Sequence, residues 1–325
     1  MKFLFIYLAL IANVFCFFVQ SKPAGIVKTK QIDSINNRPI IGVLAQESVD
    51  ILKKFGKSYI PASYIKYLES AGARVVPIRN NLTETELKNL FTSLNGVLFP
   101  GGDVDLWTSG YAKTATIMFD LAVKAKDAED IFPLWGTCLG FQMLHVLAAK
   151  GKNVLTLCHG QNVSLPLNFT KDYKSSKIFS QAPQDITTYL GKLPITLNMH
   201  KNCVSTETYK KEPLLQNFFK VLSTNEDKNG KVRFASTVEA FNYPFFATQW
   251  HPEKNQFEWP TEENINHSKE AIISTQYMAN FFVNQARQSK HTFASKKEED
   301  AALIYNYKPV PCLPDVTHYE LCYFF

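Results

Sequence analysis

The amino-acid sequence predicts an α/β protein with a mostly parallel central sheet flanked by helices on both faces. Short apolar runs rich in Val, Ile and Phe alternate with amphipathic segments, the connectors between them are short, and no internal repeat or low-complexity block interrupts the alternation. Pro39–Leu44 reads as the first buried strand. Pro61–Ala71 places Tyr64, Ile65, Leu68 and Ala71 at helical spacing and stops at Gly72, a helix with a glycine end. Arg74–Ile78 is the second strand. Thr83-Glu-Thr-Glu86 forms a capping box ahead of Leu87, Leu90, Phe91 and Leu94, which share a helical face. Gly96–Phe99 is a third strand, Thr114–Lys126 a helix, Ile131–Trp135 a fourth strand and Phe141–Lys150 a further helix.

The second half is less regular. Leu193–Asn198, Phe218–Leu222, Val232–Ala240 and Phe245–Gln249 are strand-like, with Asp227-Lys-Asn-Gly230 a turn between two of them. Ser268–Arg287 is a closing helix, and a Lys/Glu-rich stretch, Ser295–Asp300, joins it to the tail. At 325 residues, 46% hydrophobic and 20% charged, the chain has material for a well-packed core. Its net charge of +6 comes from 35 basic and 29 acidic residues without a like-charge block, so nucleic acid is not an expected partner.

The N-terminus predicts a route. Met1-Lys2 is followed by an apolar run from Phe3 to Val19 and a small residue at Ser21, the layout of a cleaved secretory signal. The expected organisation is a signal peptide over 1–21, a polar leader over 22–37 and one α/β domain over 38–325, with no stable membrane insertion after cleavage. Four N-glycosylation triplets agree with that route, at Asn81, Asn162, Asn168 and Asn266. Two of them surround Leu165-Pro166, which reads as an exposed loop. Once the signal has left with Cys16, five cysteines remain, an odd number that leaves one thiol unpaired in an oxidising compartment. If that thiol is Cys138, the other four allow three pairings. Cys312 with Cys322, close in sequence, is one, and the sequence leaves the choice open. No metal-ligand spacing of Cys and His appears.

Three local patterns carry chemistry. Trp135-Gly-Thr-Cys138-Leu-Gly140 lies between an apolar strand and a helix, the cysteine version of a nucleophile elbow, with the thiol at a helix N-terminus where the dipole favours the thiolate. Gln249-Trp-His251-Pro-Glu253 follows a strand. Residues two apart on an extended chain point the same way, so Glu253 can orient His251 as the base of Cys138. The glycine turn of Pro100-Gly-Gly102 can supply backbone N–H groups to an oxyanion, and Gly102 and Leu139 are the expected donors.

These motifs, with Ser63–Pro77, Leu165–Thr170, Gln249–Trp259 and Ala302–Tyr305, resemble the γ-glutamyl hydrolases, peptidase family C26, within the class I glutamine amidotransferase-like proteins. The resemblance runs from Pro39 to the tail. It implies a flavodoxin-like three-layer sandwich and a cysteine ω-peptidase with no cofactor. It also implies hydrolysis of γ-glutamyl bonds in folate and antifolate polyglutamates through a thioester on Cys138, in a lysosomal, vacuole-like or extracellular setting. Family members are often homodimers. Carried over by motif, Tyr59 and His200 are substrate-side residues. Gln142 departs from the glutamate of related hydrolases, keeping hydrogen bonding but losing charge, so affinity or chain-length preference is expected to differ. The same triad would also serve a glutaminase subunit that passes ammonia to a synthetase, and the fold could carry an inactive binding protein.

Overall fold

A computed structural model describes residues 35–312 and 319–325; the signal peptide and most of the leader therefore lie outside the described residues. Strand β1 (Ile40–Leu44) is buried along its whole length, as its unbroken apolar run requires for a central parallel strand. Strands β2 (Gln46–Glu47) and β3 (Ser58–Pro61) follow, and helix α1 (Ala62–Ser70) buries Tyr64, Ile65, Tyr67 and Leu68 before Gly72 closes it at φ +86°. After β4 (Arg74–Ile78) the capping box forms as the sequence requires: Thr83 caps Glu86 N–H, and the Glu86 carboxylate returns to Thr83 N–H at the start of α2 (Glu84–Phe91). Strand β5 (Val97–Phe99) leads to α3 (Gly110–Asp127), one turn longer than its periodicity indicates because Ser109 caps Ala112 N–H.

Strand β6 (Leu134–Thr137) starts three residues later than expected, and α4 (Leu139–Ala148) starts two earlier, so only Cys138 separates them. Next come β7 (Thr156–Leu165), β8 (Asn168–Phe169), α5 (Gln184–Lys192) and β9 (Thr196–Cys203). The exposed loop expected around Leu165-Pro166 is instead the junction of two strands, with Asn162 inside β7 and Asn168 inside β8. Two register shifts break the alternation of β7, which is why its polar stretch does not read as a strand. Helices α6 (Thr206–Lys211) and α7 (Pro213–Phe218) precede β10 (Phe219–Glu226), β11 (Arg233–Ala240) and β12 (Phe245–Thr248). Then follow α8 (Lys254–Phe257), α9 (Lys269–Ala286) and α10 (Lys296–Ala302), the last occupying the Lys/Glu-rich stretch read as a connector. The hairpin of β13 (Val310–Pro311) and β14 (Leu321–Phe324) ends the chain.

The main sheet has the order β4-β1-β5-β6-β12-β11-β10-β8. Strands β4 to β12 in that order are parallel, and β11, β10 and β8 continue antiparallel. Two apolar clusters flank it. One packs α2, α3 and α4 on one face, and the other packs α1, α5 and α9 on the opposite face. Ile35–Phe325 form one compact unit; the other unit, Met1–Ser34, lies outside the described residues. No described helix is long and apolar enough to cross a membrane.

Glycine is obligatory where α4 begins. A Cβ on Gly140 would sit 1.9 Å from the Phe99 carbonyl oxygen, a backbone atom that cannot swing away. Gly140→Ala is therefore expected to destabilise the protein by about 3 kcal/mol, at the upper end for overpacking, read as a fall in denaturation midpoint at unchanged m-value.

Candidate active site

The parallel strands β5, β6 and β12 end together, and the residues after each strand meet. Cys138 occupies the turn from β6 to α4 with φ +52° and ψ −103°, a conformation that costs a non-glycine residue roughly 1–3 kcal/mol. Its backbone is held on both sides: its N–H donates to Thr248 O at 2.9 Å, and its carbonyl accepts from Gln142 N–H at 3.1 Å. A strained but anchored elbow presents the sulfur at the N-terminus of α4, where it lines a pocket of about 490 Å³ with Leu139, Gln142, Gly102, Tyr59, His200 and His251.

His251 and Glu253 come together, though not by strand extension. Strand β12 stops at Thr248, and Pro252 and Glu253 form a turn into α8, with Glu253 already helical at φ −77° and ψ −22°. Proline cannot prolong the ladder, so the carboxylate folds back onto the ring. Glu253 Oε1 lies 2.6 Å from His251 Nδ1, and both side chains are buried. With Nδ1–H donated to the carboxylate, Nε2 is the nitrogen left to exchange a proton with a neighbour. Nε2 forms no well-shaped hydrogen bond of its own, and the Cys138 side chain is the polar group beside it. Burial works against the imidazolium, but the Glu253 carboxylate and the Cys138 sulfur outweigh it and hold His251 up to about 10.

The Pro-Gly-Gly turn closes the site. Gly101 lies so near the chemistry that a Cβ there would come within 2.8 Å of His251 Cε1 and 3.2 Å of Cys138 Cβ. Gly101 N–H donates to the Tyr64 hydroxyl at 2.8 Å, and Gln46 Nε2 donates to Gly101 O at 2.9 Å, which fixes the turn. Gly101 N–H is thus committed, while Gly102 and Leu139 contribute to the pocket wall around Cys138.

Tyr59, in β3, is a pocket residue that also packs against Phe324. His200 lines the pocket, but both its ring nitrogens are engaged inside the protein, Nδ1 with Cys158 Sγ at 3.5 Å and Nε2 with Asn198 Oδ1 at 3.1 Å. Gln142 donates from Nε2 to Asn202 O at 2.7 Å, a bond that a glutamate carboxylate could not supply. Among the glycosylation triplets, Asn81 and Asn168 are exposed. Asn162 Nδ2 donates to Glu262 O and Asn266 Nδ2 to Pro194 O.

Two site residues escape a reading of the sequence. Tyr64 belongs to the apolar face of α1, yet its hydroxyl also approaches His251 Nδ1 at 3.4 Å. Lys254 follows Glu253 and is buried, paired with Glu263 at 2.8 Å and lying 4.9 Å from the Tyr319 ring centroid. Neither residue carries a local motif. Below them, burial pushes Glu258 up to about 7, against the Glu320 N–H hydrogen bond and the charge of Lys254. A carboxyl raised in the folded state stabilises fully below its unfolded value of 4.5, and that contribution is lost as pH rises through about 7. Glu258→Gln is therefore expected to flatten a decline in melting temperature between pH 5 and 8, which a pH series of thermal melts would read.

The architecture and the site define a glutamine amidotransferase-like α/β protein with a cysteine at the strand–helix elbow. The glutaminase domain of Trypanosoma brucei CTPS with bound acivicin shares the fold, with a TM-score of 0.51 at 12% identity, covering 78% of this chain and 95% of that one. The peptidase C26 family model matches residues 39–253. γ-Glutamyl hydrolase of Homo sapiens is 45% identical over 289 residues, 89% of this chain and 90% of its own length. γ-Glutamyl hydrolase B of Dictyostelium discoideum is 43% identical over 99% of this chain and 88% of its own, and γ-glutamyl hydrolase 1 of Arabidopsis thaliana is 34% identical over 86% and 80%. The chain belongs to the peptidase C26 family of enzymes, among the γ-glutamyl hydrolases.

Proposed function

We propose that this enzyme hydrolyses γ-glutamyl bonds in folate and antifolate polyglutamates through a γ-glutamyl thioester on Cys138. The observation that carries this reading is the buried Glu253–His251 pair at 2.6 Å, with the elbow cysteine beside the same ring. His251, held up to about 10, already carries the proton taken from Cys138 when the sulfur attacks the γ-carbonyl, and Gly102 N–H and Leu139 N–H receive the oxyanion. Imidazolium then protonates the leaving amine, the thioester forms, and His251 activates water to release the γ-glutamyl product. Glu253 keeps the proton on Nδ1 throughout. Tyr59 and Gln142 contact the substrate at the pocket wall, and His200 supports the same wall. No cofactor enters these steps.

The protein travels the secretory route to a lysosome- or vacuole-like compartment or the exterior, with glycans on the exposed Asn81 and Asn168. It works there as a homodimer. Incubation of the purified enzyme with a defined folate pentaglutamate, followed by product analysis over time, tests the reaction. Stepwise or internal release of glutamate units is expected. Absence of cleavage at both acid and neutral pH, or faster release of ammonia from glutamine, would sink it.

A further inference from the structure

Four cysteines of the described chain stand apart from the elbow, and the fold sorts them into two places. Cys158 on β7 and Cys203 on β9 lie on paired antiparallel strands, with Thr156 directly opposite Cys203, and both thiols are buried in one small cluster with Phe234. Cys312 and Cys322 belong to the C-terminal hairpin. Val310 pairs with Cys322, Cys312 N–H donates to Glu320 O at 3.0 Å, and both cysteines pack with Leu52 and Tyr59. Of the three pairings the sequence allows, only one joins cysteines that already share a cluster.

We propose that Cys158 and Cys203 form a disulfide that fastens the β7–β9 ribbon to itself, with Cys312 and Cys322 forming a second, leaving Cys138 as the single thiol. In the structure all four are thiols, and each pair shares one small cluster. Contact with the Cys158 thiol, together with burial, pushes Cys203 up, and Cys312 does the same to Cys322.

The oxidant required is a small disulfide such as oxidised glutathione. One cysteine thiolate attacks it and releases one glutathione; the second cysteine thiolate displaces the other. Each bridge thus takes two electrons from a thiol pair, and the two protons leave on two glutathione molecules. Burial of Cys158 and Cys203 places this exchange in the folding chain, before the ribbon closes.

The bridge bears on the site because β9 forms one of its walls. The Met199 carbonyl lies 3.9 Å from Cys138 Sγ, and Asn202 O receives Gln142. Asn198 Nδ2 donates to Thr196 O, which leaves Asn198 Oδ1 as acceptor for His200 Nε2–H. The Nδ1 lone pair of His200 then faces the Cys158 thiol and receives its S–H. Gly160, opposite His200, leaves the space the ring fills, since a Cβ there would lie 2.3 Å from Cε1. Bridging removes the S–H from Nδ1 and replaces a soft contact by a covalent tie behind the same wall. The inference stands whatever γ-glutamyl compound the site takes.

The test uses the full enzyme recovered from a secretory host. It is unfolded in denaturant with iodoacetamide and no reductant, digested, and mapped by mass spectrometry. The expected map shows Cys158 joined to Cys203 and Cys312 joined to Cys322, each lighter by two hydrogens than its alkylatable form, with Cys138 alone carrying the label. Reduction is expected to lower the melting temperature by on the order of 10 °C, since the larger closed loop spans some 45 residues. Label on Cys158 and Cys203, or either of them joined to a different cysteine, would overturn the assignment. Because the map is read on the unaltered chain, it does not depend on any variant folding.

Discussion

Cys138→Ala leaves a folded protein whose release of glutamate from a γ-glutamyl substrate falls by roughly 10⁴-fold or more, with substrate binding retained. The elbow explains both halves. The sulfur lines the pocket with the His251 ring, Gly102 and Leu139, and in the proposed reaction it carries the covalent intermediate. Its loss therefore removes a whole reaction route rather than one contact. The backbone around it is held by Thr248 O and Gln142 N–H, neither of which involves the thiol, so the turn survives. Alanine also fits the existing volume and keeps the same Cβ at the positive φ. Steady-state rates and equilibrium binding of a non-hydrolysed folate polyglutamate analogue separate the two effects. Normal turnover by the folded variant would remove Cys138 from the mechanism.

Glu253→Gln is expected to lower kcat by about 10³- to 10⁴-fold with little change in KM, by the reasoning that applies to a carboxylate fixing a histidine tautomer. The amide can turn its NH₂ toward Nδ1. That places the ring proton on Nε2, where it can no longer accept from Cys138. The electrostatic consequence is separate and has a sign. In the wild type burial lowers His251, but the carboxylate and the sulfur raise it to about 10, so the imidazolium contributes stability fully below about 6.5 and loses it as pH rises through about 10. Without the carboxylate only the sulfur still opposes burial, so His251 titrates below its wild-type position and the alkaline decline in stability moves to lower pH. NMR titration of the ring and melting temperatures between pH 6 and 10.5 read this directly. A His251 titration unchanged by Glu253→Gln would show that some other group sets the tautomer.

Much of this was legible along the chain. The buried parallel strands announce themselves because both faces are covered and every residue is apolar, as in Ile40–Leu44. The capping box at Thr83 and Glu86, the glycine stop at Gly72 and the elbow around Cys138 depend on contacts within a few residues, so their chemistry is written in consecutive letters. Strand β7 was not legible, since two register shifts and its polar residues erase the period of two. The turn that joins His251 to Glu253 was expected as an extended strand, and Pro252 decides otherwise.

What the sequence determined by itself is therefore local: an α/β alternation, an elbow cysteine, a histidine and a carboxylate two residues apart, and a glycine turn. Only the tertiary structure decided what surrounds them. It brought the Tyr64 hydroxyl, 187 positions away in the chain, to His251. It committed both nitrogens of His200 inside the protein, and it placed Cys158 with Cys203 and Cys312 with Cys322. The physical reason is range. Caps, turns and strand periods are satisfied by near neighbours, whereas burial, proton affinity and thiol pairing are set by whichever distant strands the core brings into contact.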